Sequence, residues 1–394
     1  MRTVHKRLIG LAVVTALTLG TSTAIAAQRQ VDVALEWFDT TVATINAAPA
    51  PTQVTNNRTW AIAWLAATKA VRATDNDAAL AAAVHQTLTT LIPTRTTELD
   101  AALATTLARI PNGTNKTRAV EAGKQQARAV LATRTGDGLD PASVNAPFPT
   151  PTPAPGIWQP TPPAFSPGAQ AGNRAARPFL LRSADQYRPN PPPALDSQQY
   201  QDDLAEVRTY GAVDSTVRTQ AQTDTATFWY GSSFTLYTAP VRAVLAQSRQ
   251  PLGSRAALVA LVHVALVDTQ IATSDAKYAY LRWRPVTAIG GGWAPLHVTP
   301  AHPDYPSGHC TYAGAVEGVL TALVGPRTAE PFTITNPSAP GVTRDYTNWR
   351  QLTAENVDAR VWSGIHTRTA DTVGVDLGSQ VASHILREAG RLFG

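Results

Sequence analysis

Apolar residues recur at helical spacing from residue 31 to about 135. They are Val31, Val33, Ala34, Trp37, Phe38 and Val42, then Trp60, Ile62, Ala63, Trp64, Ala67 and Val71. A period near 3.6 residues predicts amphipathic helices in both stretches. A third helix fits 78–91, with a polar cap at 75–76 and Pro93 as its stop, and a fourth fits 97–110.

Residues 141–193 carry 15 of the 30 prolines, a composition typical of an extended linker. The same segment contains large apolar side chains, which a solvated linker does not need. They are Phe148, Trp158, Phe165 and the run 179–181. We therefore predict an ordered strap, assigned to 141–195, that wraps a helical body, with a flexible tether as the alternative.

Helical periodicity resumes after the strap and continues to the end of the sequence. Seven helices are predicted, at 197–209, 215–229, 233–247, 254–282, 309–323, 353–363 and 368–391. Strand patterns are weak, and no period of about 20 to 50 residues repeats, which excludes a solenoid. The predicted fold is mainly α, with one helical domain over 27–394 that divides into N-terminal helices (27–140), the strap and a C-terminal helical core (196–394).

The 394 residues are 44% hydrophobic and 15% charged, which is enough apolar material for a large core and too little charge for a disordered chain. The single cysteine, Cys310, excludes internal disulfides and cysteine-rich metal sites, and we expect it to be buried. The formal net charge is +5. Arg2, Lys6 and Arg7 contribute three of these charges, and their removal would leave +2, which argues against a nucleic-acid partner.

Residues 1–26 have the pattern of an export signal. Three cations precede an apolar run at 8–19, and Ala24-Ile25-Ala26 supplies the small-x-small pattern of a cleavage site. The apolar run is shorter than the roughly 20 residues of a membrane-spanning helix, so cleavage is favoured over an uncleaved anchor. We therefore expect an exported protein, secreted or periplasmic, with no stable membrane span.

Three segments carry concentrated chemistry, and the first runs from Lys277 to Pro285. Lys277 and Arg284 lie seven residues apart, close to two helical turns, so both are predicted to project from one helix face. Pro285 favours an extended Arg284 at the helix end. Lys277 is the only lysine after residue 124 in a chain rich in arginine, which indicates a need for a compact point charge. A solvated basic face is the alternative.

The second segment, His302-Pro-Asp-Tyr-Pro-Ser307-Gly308-His309, precedes a helix rich in Ala, Gly and Val. Ser307 is a natural N-cap. Gly308 lets an oxyanion approach the backbone N–H groups at the helix N-terminus, where the helix dipole favours negative charge. His309, in the first turn, is positioned to exchange a proton with such a ligand. A simple capped helix with a surface histidine is the alternative.

The third segment runs from Arg360 to Asp371. Arg360 ends a helix that we expect Thr353 to cap, and Gly364 is expected to break the helix and turn His366 inward. A neutral imidazole whose other nitrogen is held by an acceptor can act as a ligand or a nucleophile. Together the three segments supply two arginines, a lysine, a hydroxyl, backbone donors and histidines. This inventory, with no intrinsic carboxylate, suits phosphate or vanadate.

These residues match the three-part signature shared by vanadium-dependent haloperoxidases and type 2 phosphatidic acid phosphatases. Its parts are Lys277 with Arg284-Pro285, then Pro306-Ser307-Gly308-His309, then Arg360 with His366. Over most of its length the chain resembles bacterial vanadium-dependent haloperoxidases. The resemblance includes the runs 158–163, 185–189, 228–229 and 293–296, and Trp283 directly before Arg284. His302, seven residues before His309, resembles the bromide-oxidising members.

The resemblance implies an all-α fold built around helical bundles and a vanadate cofactor, in a site that phosphate can also occupy. His366 would be the axial ligand of vanadate, and His309 would be the acid–base group. His302 would tune the handling of halide or peroxide, and Lys277 would polarise bound peroxide. The residues that would hold the equatorial oxygens are Lys277, Arg284, Ser307, Gly308 and Arg360.

Two positions depart from the signature. Ala359 stands where a serine usually precedes the arginine. Asp371 follows His366 after four intervening residues, where the family has three. The assignment of Asp371 as the residue that would orient His366 is therefore the weakest part of the resemblance.

The expected function is oxidation of halide by hydrogen peroxide at vanadate, with a small organic acceptor as a further partner. A soluble acid phosphatase acting through a phosphohistidine at His366 is the alternative, and a non-catalytic oxyanion-binding protein is the third. Met1 is the only methionine. Its rarity would suit a protein that makes hypohalite, because methionine oxidises readily. Biased codon usage, which the excess of arginine also indicates, is the favoured alternative explanation.

Overall fold

The N-terminal third of the chain folds as five α-helices in a computed structural model that describes residues 32–48, 52–231 and 233–393. They are α1 (Val33–Asn46), α2 (Gln53–Thr74), α3 (Asp77–Leu91), α4 (Thr96–Ala108) and α5 (Thr114–Thr133). Asn76 caps α3, because its side chain accepts the N–H of Ala78 at 2.8 Å. The predicted export signal, residues 1–26, lies outside the described residues.

After α6 (Pro141–Val144), helical structure resumes at residue 198. The later helices are α7 (Gln198–Tyr210), α8 (Gln220–Tyr230), α9 (Phe234–Gln247), α10 (Leu252–Tyr280), α11 (Pro285–Ile289), α12 (Gly308–Val324), α13 (Trp349–Trp362), α14 (Arg368–Glu388) and α15 (Gly390–Phe393). An antiparallel pair of strands, β1 (Arg327–Thr335) and β2 (Thr343–Asn348), lies between α12 and α13 in the sequence. The mainly α prediction is confirmed. The sheet is missed because its strands are largely exposed and lack a continuous apolar face.

Helix α10 forms the centre of the core and packs against α2, α12 and α14. Apolar residues surround it on all sides, which is typical of a buried helix. Among the described residues it is the one helix long and apolar enough to cross a membrane, and 94% of its most apolar stretch is buried within the protein. Trp60 of α2 stacks on His263 of α10 with ring centroids 4.5 Å apart, so His263 is a core residue.

The proline-rich strap is ordered against this body, as predicted. Trp158 is fully buried, and its backbone N–H donates to Leu281 O at 2.7 Å. Asp268 of α10, also fully buried, accepts the backbone N–H groups of three successive strap residues, 179–181, at 2.6, 2.8 and 3.0 Å. This carboxylate fixes the strap to the central helix.

Substitution of Asp268 by asparagine is expected to destabilise the fold. Asparagine keeps one oxygen and turns an N–H group toward the strap's own donors, so at least one buried N–H loses its acceptor. We expect the free energy of unfolding to fall by about 2–4 kcal/mol, measured by urea denaturation. Asp275→Asn is the matched control, because Asp275 pairs with the partly exposed Arg188 of the strap (2.7 Å) and should change stability by less than about 1 kcal/mol. Equal losses of stability in the two variants would show that the buried Asp268 contributes no more to stability than the partly exposed ion pair of Asp275.

Close packing of α12 against α14 brings the second and third sequence segments together. A Cβ atom on Gly314 would overlap the carbonyl oxygen of Val375, and one on Gly378 would overlap the backbone of α12. Only glycine permits the two backbones to approach this closely. The N-terminal ends of both helices are joined by a hydrogen bond from the Ser307 N–H to Ala370 O at 2.8 Å.

The helix that carries Arg360 begins at Trp349, and the predicted cap was wrong. Asn348 is the N-cap: its side chain accepts the N–H of Gln351 at 3.0 Å, and the Gln351 side chain accepts the N–H of Asn348 at 3.3 Å. Thr353 lies inside the helix. Strand β2 leads directly into α13, so no loop of turn residues marks the boundary in the sequence.

Candidate oxyanion site

A cavity of about 380 Å³ brings residues of all three segments together. Six of the eight predicted site residues line it: Lys277, His302, Gly308, His309, Arg360 and His366. The other two, Arg284 and Ser307, are fully buried beside these lining residues. A larger cavity of about 560 Å³ near α2, α9 and α10 contains none of the eight.

The first segment leaves its helix earlier than predicted. Leu281 ends α10 in the left-handed conformation (φ 50°), and Arg284 precedes α11 with an extended backbone. Lys277 and Arg284 therefore do not share a helix face, which corrects the expectation from their spacing. They reach the same site because the chain turns between them.

Arg284 connects the histidines of the second and third segments. Its guanidinium donates to the carbonyl oxygens of His302 (2.7 Å) and Ile365 (2.6 Å). Its Nη1 also lies 3.1 Å from His366 Nε2, and its Nη2 lies 2.9 Å from His302 Nδ1. Because arginine can only donate, each of these two ring nitrogens carries a lone pair.

A carboxylate that sequence reasoning did not assign orients His366. Asp304 Oδ1 lies 2.6 Å from His366 Nδ1, and Asp304 Oδ2 accepts the Thr367 hydroxyl at 2.8 Å. The imidazole proton therefore sits on Nδ1, which agrees with the lone pair that Arg284 requires on Nε2. Gly364, in the left-handed conformation (φ 77°), follows α13 and turns the chain so that His366 lines the cavity. The free Nε2 can bind or attack an electrophile.

Asp371, the residue considered for this role from the sequence, is directed elsewhere. It lies in the first turn of α14, where its Oδ1 accepts the Cys310 thiol at 3.3 Å and its carboxyl interacts with the Ser307 hydroxyl. Burial raises the pKa of Asp371 to about 8, so its carboxyl is mostly protonated at neutral pH. Cys310 is a free, buried thiol, as expected.

Lys277 retains a donor for a ligand. Its ammonium lies in the last turn of α10 and donates to Pro303 O (2.6 Å) and Asp304 O (3.0 Å). An ammonium has three N–H groups, so one remains for the cavity. Burial and then the charge of Arg284 lower the pKa of Lys277, and an anion in the cavity would favour the charged form.

The N-terminus of α12 offers a hydroxyl and backbone N–H groups. Ser307 is the N-cap residue, but its buried hydroxyl makes no capping hydrogen bond and interacts instead with the side chains of Asp371 and Cys310. Gly308 begins the helix, whose first N–H groups have no acceptor within the helix. His309 Nε2 lies 2.9 Å from Gly231 O, so Nε2 donates and Nδ1 keeps the lone pair. His309 can therefore exchange a proton through Nδ1.

Arg360 contributes further donors without partners. Its side chain is only 1% exposed. Nη1 donates to Trp229 O (3.1 Å) and Tyr230 O (3.3 Å), whereas Nε and Nη2 have no hydrogen-bond partner. Unpaired N–H groups on a buried guanidinium are costly unless an acceptor joins them. The cavity beside Arg360 is where such an acceptor would bind.

The cavity holds more buried positive charge than negative charge. Burial lowers the pKa of Arg284 to about 10 and lowers that of Arg360, and both stay protonated at neutral pH. Burial raises the pKa of Asp304 to about 6, so this carboxyl is mostly ionised at neutral pH. Burial also lowers the pKa of each of the three cavity histidines, which keeps their rings neutral. The excess of positive charge favours an oxyanion.

Comparison with known protein families gives a match to the C-terminal part of the chain. Residues 290–394 match the model of the VCPO second helical-bundle domain. The match begins inside the predicted C-terminal core and includes the second and third segments. Comparison with curated protein sequences gives no match.

Solved structures with a similar fold extend the likeness to nearly the whole chain. A bacterial vanadium-dependent iodoperoxidase is 23% identical, with a TM-score of 0.77 over 91% of this chain and 97% of that one. Apo-type and holo-type bacterial vanadium-dependent chloroperoxidases are 16% and 15% identical, with TM-scores of 0.69 and 0.65. They cover 88% and 93% of this chain, and 96% and 97% of their own. Residues 290–394 are therefore similar to the VCPO second helical-bundle domain, and the chain shares the fold of these bacterial vanadium-dependent enzymes.

Proposed function

We propose that this protein is a vanadate-dependent haloperoxidase that oxidises halide with hydrogen peroxide. The observation that carries the proposal is the unprotonated Nε2 of His366, in a ring that lines a cavity with buried cations and with donors that lack partners among the described residues. The fold shared with a vanadium-dependent iodoperoxidase and with vanadium-dependent chloroperoxidases supports the choice of vanadate.

The side chains of the cavity fit a tetrahedral oxyanion. Two nitrogens of Arg360 are buried without partners among the described residues, and Lys277 keeps one unused N–H. The buried Ser307 hydroxyl lies directly before Gly308, which lines the cavity. Charge-assisted hydrogen bonds from these donors would satisfy them and offset the excess positive charge. The residues that would hold vanadate are Lys277, Arg284, Ser307, Gly308 and Arg360, and His366 would bind it through Nε2.

Bound vanadate would supply a Lewis acid that makes hydrogen peroxide reactive toward halide without a change in the metal's oxidation state. Asp304 fixes the proton of His366 on Nδ1, which leaves Nε2 free for the ligand. Lys277 adds a positive charge and one N–H at the cavity wall, where it would polarise bound peroxide. His309 would take up or release a proton at Nδ1. His302, with its proton on Nε2, would donate to halide or peroxide.

A phosphatase is the second candidate, because the same free Nε2 of His366 could attack a phosphoester. His309 would then protonate the leaving alcohol. Two observations favour the haloperoxidase. The solved structures of similar fold are vanadium-dependent peroxidases. In addition, Met1 is the only methionine, so no thioether elsewhere in the chain is available for oxidation by hypohalous acid.

Orthovanadate added to the metal-free protein is expected to switch on peroxide-dependent halide oxidation. Triiodide formation and bromination of phenol red measure this activity, with vanadate and peroxide in the absence of protein as the blank. Hydrolysis of p-nitrophenyl phosphate is followed in parallel. Phosphate hydrolysis that vanadate inhibits, with no halide oxidation, would identify the phosphatase instead. Tight phosphate binding with neither activity would identify a binding protein without turnover.

A further inference from the structure

We infer that the end of the cavity remote from Lys277 binds a neutral organic acceptor through a hydroxyl group, at the paired amides of Gln170 and Gln270. The class of ligand that fits is a phenol or an enol. The inference rests on the proposed function, since the oxidised halide would be transferred to this acceptor. It also predicts equilibrium binding that does not require turnover.

The cavity extends along two turns of α10. Gln270, Ser274 and Lys277 all line it, and residues spaced by three, four and seven positions share one face of a helix. Seven residues correspond to a rise of about 10 Å. Lys277 lies at the oxyanion end, so Gln270 lies about 10 Å away along the helix axis, too far to contact an oxyanion held there. The amide therefore serves a different ligand.

Gln270 has an amide atom without a partner. Its side chain is buried, with the residue 3% exposed, and its Nε2 donates to Gln170 Oε1 at 3.0 Å. Its Oε1 is buried and has no hydrogen-bond partner. If both amides were rotated, the bond between them would reverse and the Gln270 nitrogen would be left over instead. A hydroxyl group meets either arrangement, because it both donates and accepts.

The strap holds Gln170 in place for this contact. Gln170 has a left-handed backbone (φ 60°), a conformation that non-glycine residues seldom adopt. The residue before it is fixed on both sides, since the Ala169 N–H donates to Ala301 O (2.8 Å) and the Tyr278 hydroxyl donates to Ala169 O (2.5 Å). The amide pair is thus anchored to α10 on one side and to the strap on the other.

The lining at this end suits a neutral aromatic molecule. Apart from Lys277, Arg360 and the histidines, the polar side chains that line the cavity are uncharged amides and hydroxyls. Tyr278 and Tyr312 also line it and contribute aromatic rings. A halide ion could pair with the amide only in the rotated arrangement, where an N–H group is left over, whereas a hydroxyl pairs with it in both. A cavity of about 380 Å³ also lies within the range of small-molecule sites, about 300–1,000 Å³.

Halogen transfer to such an acceptor is balanced without another reagent. Hypohalous acid, the product of the proposed function, reacts with the ring of a phenol. Two π electrons of the ring form the carbon–halogen bond as the oxygen–halogen bond breaks, and the ring proton leaves with hydroxide as water. A hydroxyl held at Gln270 would fix which ring carbon faces the oxyanion end. The products should then differ in regioselectivity from those of free hypohalous acid.

The test compares the wild type with Gln270→Leu, using phenol as the probe. Leucine keeps the volume of the side chain and removes both polar atoms. Phenol binding to the protein without peroxide is measured by calorimetry and is expected to weaken about three- to tenfold. The KM for phenol in bromination should rise by the same factor, and the ortho-to-para product ratio should approach that of free hypobromous acid. Triiodide formation, which needs no organic acceptor, should stay within about twofold of wild type.

Gln86→Leu is the matched control, because it removes an exposed amide from α3, remote from the cavity. If Gln270→Leu does not fold, Gln170→Ala removes the other member of the pair from the strap. A wild-type product ratio equal to that of the free reagent, together with phenol binding that neither variant changes, would overturn the inference. Absence of triiodide formation in the wild type would instead refute the proposed function, and the calorimetric comparison would still decide whether phenol binds at Gln270.

Discussion

Alanine at position 366 is expected to reduce vanadate-dependent iodide oxidation to the rate of free vanadate and peroxide. His366 supplies the one imidazole nitrogen that is held toward the cations by a carboxylate, with its Nδ1 2.6 Å from Asp304. Its removal deletes the proposed vanadate ligand, and the other ring nitrogen beside Arg284, His302 Nδ1, contacts Nη2 at 2.9 Å and has no carboxylate partner like Asp304 in the described part of the chain. We expect a loss of at least about a thousandfold, comparable to the loss of an essential catalytic group. Triiodide formation at saturating vanadate measures the loss.

His384→Ala is the matched control for this variant. His384 is also buried, at 6% exposure, and its ring contacts Tyr187 Oη and Leu180 O, both at 3.2 Å. Each variant removes a buried imidazole, so a general loss of stability would appear in both thermal melts. Activity should fall only when His366 is changed. Halide oxidation above the protein-free rate in His366→Ala would show that the assigned centre is wrong.

Hydrophobic periodicity was sufficient to predict most of the helices, because their buried faces are continuous. The helix expected over 309–323 spans Gly308–Val324, and that expected over 233–247 spans Phe234–Gln247. The predicted ends of helices were wrong where something other than hydrophobic periodicity determines where the helix stops. Helix α10 stops at Tyr280 through a left-handed leucine, a conformation that leucine seldom adopts, and no sequence rule would place it there.

The sequence indicates the residues that line the candidate site, but it does not indicate that Asp304 contacts His366. Lys277, His309 and His366 line one cavity because α12 packs on α14 and the chain leaves α10 at Leu281. The sequence alone does not single out Asp304, since the direction of a side chain in a loop follows no period. The available signal was that Asp304 is the only acidic residue in the second segment. Asp371 was preferred because the family motif places an acid after the histidine.

Substitution of Asp304 by asparagine is expected to weaken vanadate binding by about 10- to 100-fold, the usual cost of losing a residue that orients a metal ligand. Asparagine can turn its N–H group toward His366 Nδ1, which would move the ring proton to Nε2 and remove the lone pair from the ligand. The change also deletes the carboxylate nearest to Arg284, whose Nη1 lies 4.0 Å from Asp304 Oδ1. Titration of the metal-free protein with orthovanadate, followed by halide oxidation, gives the half-saturating concentration.

Asp371→Asn tests which of the two carboxyls, Asp304 or Asp371, orients His366. It makes the same chemical change at the position that the family motif favours. The pKa of Asp371, raised by burial to about 8, leaves a mostly neutral carboxyl at neutral pH, so a neutral amide replaces it with little loss of charge. The half-saturating concentration of vanadate should therefore change by less than about threefold, a cost below 1 kcal/mol. A larger effect at Asp371 than at Asp304 would mean that the orienting contact on His366 is exchanged when vanadate binds. Equal and large effects would instead mean that both carboxyls act through the packing of α12 on α14, which parallel thermal melts would reveal as matched losses of stability.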